Sequence, residues 1–341
     1  MIASLGGKAF SKHNLLRFFC RSDLLVVRTC DTRVKVFSLT VLGSGSGGNC
    51  ALVTSDRCRI LIDAGFSARR ISQRLQSLGV EPESLDGILL THEHSDHISG
   101  LKVFCGKFDV PVYCNSLTAE YLCRGGFAEA NRYKIFSTGS SFTIQDIDVQ
   151  AFYVPHDAVD PVAFVLTSDH GSVGFLTDLG YAPKLARERI REVHTLVVET
   201  NHDEQRLQAD PKRPWSVKQR ILSRHGHLSN EAAAALVADI AGENLRRVIL
   251  GHLSRECNSP ELALAAVRRL GLDSLELYCA EQNQVSPQFQ IGQRPVERPW
   301  RRDDCRRTGC SPFSEQVNPV ASSRDDQEQA EYLLDLGWNV G

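Results

Sequence analysis

The segment "ILLTHEHSDHISG" packs three histidines, a glutamate and an aspartate into the six positions from His92 to His97, directly after an apolar run. Imidazole and carboxylate are the side chains that hold divalent cations at neutral pH, so metal ligation is the chemistry this spacing offers. On extended backbone His92 and His94, two apart, point to the same side. Ser95 then reads as a helix cap that swings Asp96 and His97 round to the other side of one hollow, so that a single segment can serve two ions. Three further ionisable residues end apolar runs: His156 closes "AFYVPH", Asp178 closes "VGFLTD" and His252 closes "RVILGH". The expected assignment gives His92, His94 and His156 to one ion and Asp96, His97 and His252 to the other, with the Asp178 carboxylate bridging them. This donor set suits two divalent ions, Zn2+ first, with Mn2+ and Fe2+ also compatible. Isolated histidines such as His13, His170 and His194 read as surface or satisfied residues.

These residues meet only if the apolar runs form sheets whose strand ends share one rim. "FSLTVLG", "ALVT", "CRILIDAG", "GILLTH", "VPVYC", "DVQAFYVPH", "VAFVLTS", "VGFLTD", "TLVVET" and "RVILGH" read as short strands. "SARRISQRLQSLG", "LTAEYLCRGG", "PKLARERIREV", "SNEAAAALVADIAG" and "SPELALAAVRRLG" read as amphipathic helices, several ending at glycine. Two sheets with helices outside them, an α/β four-layer αββα sandwich, accommodate this order.

Composition bounds the rest. The 341 residues, 42% hydrophobic, bury a sizeable core, expected over 36–286. A net charge of −2 gives no whole-protein attraction to nucleic acid, so a polyanion would have to be gripped locally. The chain has no apolar run long enough for a membrane span. Eleven irregularly spaced cysteines without a CxxC pair read as reduced thiols in a cytoplasmic protein. Residues 1–35, with Lys8, Lys12, Arg17 and Arg21 in their first part, form an N-terminal extension that reads as a targeting segment or a mis-assigned start. Residues 287–341, rich in Arg, Pro, Ser and Asp, are expected to be a disordered tail.

HxHxDH followed by a downstream His, an Asp and a final His resembles the metallo-β-lactamase superfamily, over residues 36–285. "VLGSGSGGNC", "THEHSDHISG", "VPHDA", "FLTDLG", "VVETNHD", "GHLSN" and "GHLSRECN" are similar to its YycJ (WalJ) branch, neighbour of the PhnP phosphodiesterases and the tRNase Z and RNase J nucleases. The resemblance implies an αββα sandwich, a dinuclear metal site and phosphodiester hydrolysis, with a nuclease (exonuclease) acting on DNA as the expected activity. It also implies that His92, His94, Asp96, His97, His156, Asp178 and His252 are the metal ligands. His227 lies just before a helix start at Ser229 or Asn230, a setting that suits contact with a phosphate. The similar histidine of tRNase Z-like enzymes helps to protonate the leaving oxygen, which makes His227 the general-acid candidate and Glu199 its orienting carboxylate. Asp96 is expected to orient the attacking hydroxide as well as to bind metal.

Several residues stay open at this level. Ser44, Gly45 and Asn49 in the glycine-rich "GSGSGGN" belong either to a tight turn or to a backbone cradle for substrate, and Ser254 and Asn258 are candidates to line the pocket. His225 reads as an exposed loop residue, whereas His202 and Asp203 are candidates for the cleft wall. "DPKRPWSVKQR" offers Lys212, Arg213, Lys218, Arg220 and Trp215, either as a nucleic-acid grip or as a charged surface loop leading into a helix. The short interval from Asp178 to His252 excludes the inserted domain of β-CASP nucleases. A small-molecule cyclic phosphodiesterase, a thioester or lactone hydrolase, and a non-enzymatic DNA-binding protein are the rival readings.

Overall fold

The computed structural model of the protein describes residues 36–127 and 132–292. The expected targeting segment and most of the expected tail lie outside the described residues. The first half runs β1 (Ser38–Gly43), β2 (Cys50–Thr54), β3 (Arg59–Ile62), α1 (Ala68–Ser77), β4 (Gly87–Leu89), α2 (Ser95–Ile98), α3 (Leu101–Lys107), β5 (Val112–Asn115), α4 (Ser116–Arg124) and β6 (Tyr133–Phe136). The second half opens with β7 (Ser141–Ile144), β8 (Ile147–Tyr153), β9 (Val162–Ser168), β10 (Gly171–Leu176), α5 (Lys184–Ile190), β11 (Thr195–Glu199) and α6 (Glu204–Ala209). It closes with α7 (Trp215–Ile221), α8 (Asn230–Ile240), β12 (Arg247–Gly251), α9 (Pro260–Arg268), β13 (Glu276–Cys279) and β14 (Phe289–Gln290).

Two mixed seven-stranded sheets result, in the orders β14-β1-β2-β3-β4-β5-β6 and β13-β12-β11-β10-β9-β8-β7. Each has an antiparallel part and a parallel part; β3 to β6 are parallel in one, β10 to β13 in the other. The period-2 alternation of side chains decides the layering. Ile60 and Ile62 of β3, Val197 of β11 and Ile249 of β12 enter the core between the sheets. Their neighbours Leu61, Leu196, Val198, Val248 and Leu250 face outward into two further cores that the helices cover. On α1, Ile71 and Leu75, one turn apart, seal one outer core, while Ser67 caps the helix by accepting from the Arg70 N–H. The architecture is the four-layer αββα sandwich.

One boundary moves. Phe289 and Gln290 pair with Leu39 and Ser38 of β1, and Phe289 and Ile291 are buried between the sheets. The folded domain therefore continues past 286 into residues expected to belong to the tail, because a two-residue edge strand leaves almost no periodic signal.

Candidate metal centre

Parallel strands of both sheets, together with the antiparallel β8, deliver their ends to one rim. Asp63 follows β3, the His92 to His97 segment follows β4, His156 follows β8, Asp178 follows β10, Glu199 ends β11 and His252 follows β12. Asp63, Asp178 and His252 all adopt the left-handed conformation, with φ of 60°, 58° and 55°. Non-glycine residues are rarely held there, and three at one rim place stored backbone strain at the site. Ser95 is not the cap that was expected. His94 takes the N-cap position, without a side-chain cap bond, and Ser95 is the first residue of α2. The turn still carries Asp96 and His97 to the far side of the hollow.

Two ligand groups face each other. His92, His94 and His156 form one and Asp96, His97 and His252 the other, each with its donor atoms within 4.8 Å of one another. His156 Nε2 lies 3.3 Å from His94 Nδ1, and Asp96 Oδ2 lies 3.1 Å from His252 Nε2. Asp178 spans the groups: its Oδ1 is 3.8 Å from His156 Nε2 and 3.4 Å from His252 Nε2, and its Oδ2 is 3.1 Å from His97 Nε2. The structure thus brings together all seven residues picked from the sequence as ligands. His92 Nε2 is buried without a hydrogen-bond partner, a costly arrangement for a polar atom unless an ion satisfies it. With that atom and the convergent imidazoles and carboxylates, the residues fit divalent metal ions.

The far nitrogen of each histidine is pinned, which fixes which atom faces the hollow. His92 Nδ1 meets Thr91 Oγ1 at 3.0 Å, His94 Nε2 donates to the Asp157 carbonyl at 3.2 Å, and His156 Nδ1 donates to the Gly226 carbonyl at 3.0 Å. In the second group the partners are carboxylates: Asp63 Oδ2 accepts from His97 Nδ1 at 2.8 Å and Glu199 Oε1 from His252 Nδ1 at 2.8 Å. The electrostatics follow. Burial pushes the imidazoles toward the neutral form, and it prevails at His92, held well below its ordinary value, and at His156. At His97 burial is outweighed by Asp178 and Asp63, and at His252 by Asp178, Asp96 and Glu199, so both lie well above the ordinary value. Asp63 and Thr91 were missed in the sequence, although "RILID" carries the same sign as "VGFLTD", an acid closing an apolar strand.

Glu199 also accepts from His227 Nδ1, at 2.6 Å, while its Oε2 accepts from the Leu179 and Leu228 N–H groups. Burial acts to raise this carboxyl, but the charge of His227 and hydrogen bonds from His227 and His252 hold it down at about 2. Burial lowers His227, and Glu199 more than compensates, so the imidazole lies above its ordinary value. The His227 side chain keeps 22% of its surface exposed, and its Nδ1 is 3.6 Å from Asp178 Oδ1. Ser229, accepting from the Ala232 N–H, caps the helix that follows.

The expected substrate contacts fare differently. Asn49 Oδ1 accepts from Ser44 Oγ and the Gly45 N–H, and its Nδ2 lies 3.2 Å from His97 Nε2 and 3.4 Å from Asp96 Oδ2. Ser44 Oγ also accepts from the His252 N–H at 2.8 Å. The N–H groups of Gly47 and Gly48 bond Gln282 Oε1 and the Gly45 carbonyl. The glycine-rich segment forms a turn that buttresses the second ligand group, with the N–H groups of Gly45, Gly47, Gly48 and Asn49 each bonded within the protein. Ser44, Ser254 and Asn258 line a cavity of about 220 Å³. The Asn258 amide, however, is committed to Thr200, Asn230 and Ser259.

Asp203 caps α6, and His202 is buried close enough to Glu199 and His227 to feel their charges. In the basic segment Lys218 is buried on the Gln208 carbonyl, Arg213 pairs with Asp210 and Glu256, and Arg220 pairs with Asp157. Of the five residues Lys212 and Trp215 are exposed, and Arg220 is also largely exposed although its guanidinium is paired.

Fold and ligand set together define a metal-dependent hydrolase. The chain belongs to the metallo-β-lactamase superfamily: the profile of the beta-lactamase superfamily domain matches residues 58–253. Among curated proteins it is 38% identical over 234 residues to the exodeoxyribonuclease YycJ of Bacillus anthracis, covering 68% of this chain and 88% of the relative. It is likewise 38% identical over 233 residues to the exodeoxyribonuclease WalJ of Streptococcus pneumoniae, covering 67% and 85%. A diphosphatase of the PhnP family shares the fold, with a TM-score of 0.53 at 17% identity over 75% of this chain and 98% of that one.

Proposed function

We propose that this hydrolase is a two-metal exonuclease acting on DNA. The observation that carries the reading is the Asp178 carboxylate set between two complete ligand groups, with His227 beside it. The likeness to two exodeoxyribonucleases over most of their length supports DNA as the polymer.

His92, His94, His156 and Asp178 would hold one ion and Asp96, His97, His252 and Asp178 the other, with Zn2+ favoured by the donors and Mn2+ or Fe2+ compatible. Such ions supply Lewis-acid stabilisation of charge on a phosphodiester and a nucleophile from water at neutral pH. The side chains do the rest. Asp96 turns Oδ2 to His252 and leaves its other oxygen to accept from a water, orienting it for in-line attack. His227, with Nδ1 tied to Glu199, carries its second proton on the exposed Nε2 and delivers it to the departing alkoxide. Glu199 raises the proton affinity of that imidazole while fixing His252, so proton donor and ligand group are set by one carboxylate.

A cytoplasmic location fits the free thiols: the described cysteines are free, and all but Cys123 are buried. No described helix is long and apolar enough to cross a membrane.

The test is cleavage of end-labelled single- and double-stranded DNA and RNA by metal-loaded protein, with bis-p-nitrophenyl phosphate alongside. Stepwise mononucleotide release from DNA supports the reading. Dye cleavage with every polymer intact moves the substrate to small phosphodiesters, and turnover of thioesters or lactones alone overturns phosphodiester chemistry.

A further inference from the structure

The segment from α7 to His227 is built around the three-histidine group. The His225 carbonyl accepts from the Asp157 N–H at 3.1 Å, and the Gly226 carbonyl accepts from His156 Nδ1 at 3.0 Å. Arg220 Nε donates to Asp157 Oδ2. The segment is stiff: the His227 N–H bonds the Ile221 carbonyl at 2.9 Å, and a Cβ on Gly226 would stand 2.0 Å from that same oxygen. Asp157 is therefore gripped at its N–H and at its carboxylate by one block.

Asp157 in turn acts on two ligands. Its carbonyl accepts from His94 Nε2, which leaves Nδ1 as the bare lone pair facing His156 Nε2 at 3.3 Å. Its Oδ1 lies 3.4 Å from His156 Nε2, the nitrogen an ion needs, while Arg220 holds Oδ2 on the other side. Removing the guanidinium frees the carboxylate to close on His156 and frees the carbonyl to turn away from His94.

We propose that Arg220 is a positioning residue whose ion pair with Asp157 holds His94 and His156 in register for the first ion. The inference rests on the metal-binding reading of those histidines. It assigns Arg220 to the metal centre rather than to the nucleic-acid grip that its basic neighbourhood suggested. A partner that anchors a ligand through its far side commonly changes metal affinity by about 10- to 100-fold, without touching the ion.

Full-length protein is stripped of metal and titrated with Zn2+ against a chromophoric chelator. Wild type is compared with Arg220→Gln, Asp157→Asn and the double variant, and His94→Gln marks which binding step belongs to the three-histidine group. We expect that step to weaken about 10- to 100-fold in Arg220→Gln and in Asp157→Asn, with the double variant no weaker than Asp157→Asn and the other step unmoved. Arg220 is largely exposed, so the metal-free unfolding temperature should stay close to wild type, which separates positioning from folding. Unchanged or tighter first-step binding in Arg220→Gln overturns the proposal, as does a full additive loss in the double variant. A wild-type titration with one step only contradicts the two-ion reading, and the clamp is then judged on that step by the same comparison.

Discussion

The two ligand groups are built from nearly the same side chains yet are backed differently. Behind His92, His94 and His156 stand a hydroxyl and two backbone carbonyls. Behind His97 and His252 stand the buried carboxylates of Asp63 and Glu199. The neutral backing leaves burial in control of His92 and His156, whereas the anionic backing, with Asp178, lifts His97 and His252 well above the ordinary imidazole value. Two half-sites with similar donors can thus differ in basicity and in the order in which they fill, through residues that never touch the ion.

Asp178 is the carboxylate that reaches both groups, so on the two-ion reading its loss should erase the difference between them. Asp178→Ala is expected to lower phosphodiester turnover by about 10³-fold or more and to depress metal content at both groups, read by elemental analysis beside the rate. Retention of one tightly held ion would break the symmetry of that bridge. His227→Ala should cost about 10²- to 10⁴-fold in kcat on DNA, whose alkoxide must be protonated, with metal content unchanged. The same variant should change hydrolysis of a p-nitrophenyl ester far less, since that group leaves without a proton; equal losses on both substrates would count against the acid role.

Asp63→Asn removes the anionic backing of His97 alone. Zn2+ affinity should fall about 10- to 100-fold at the second group and little at the first, measured by chelator competition, and equal weakening of both would remove the asymmetry. The pH dependence is the mildest test. His97 and His252 have raised folded values, so near pH 7 the metal-free second group is protonated and binding there should release about two protons, with affinity rising as pH rises. His92 and His156 have lowered values and are already neutral, so the first step should release few. Calorimetry in buffers of different ionisation enthalpy reads both numbers. Stability carries its own sign. Glu199, depressed to about 2, contributes stability that is complete above its ordinary value of 4.5 and fades as pH falls toward 2.

The sequence carried the interior of both sheets and missed their borders, and the reason is physical. The ten strands read from apolar runs are the interior ones, whereas β6, β7, β13 and β14 are the four edges. An edge strand such as β7, with Ser141 and Thr143 exposed, is covered on one side only and has little hydrophobic pattern to show. A helix after Ser95 and one after the basic segment were expected, whereas α3 and α6, of seven and six residues, went unread because so short a helix gives a 3.6-residue period little room to show. The ligands were legible because each ionisable residue interrupts an apolar run at a strand end. The residues behind them were less so. Thr91 and Asp157 act through a hydroxyl and a backbone carbonyl that any sequence offers, and Asn49 hides in a turn whose glycines explain themselves. Arg220 and Lys218 looked like one basic patch because composition does not reveal which cations the fold has already paired.

Catalysis on the two-ion reading requires both ligand groups to be filled. Metal-free full-length protein is titrated with Zn2+ while nucleotide release from end-labelled single-stranded DNA is followed. Turnover should track occupancy of the second ion and level off near two equivalents. A full rate after a single equivalent, or comparable turnover by Asp178→Ala, would contradict it.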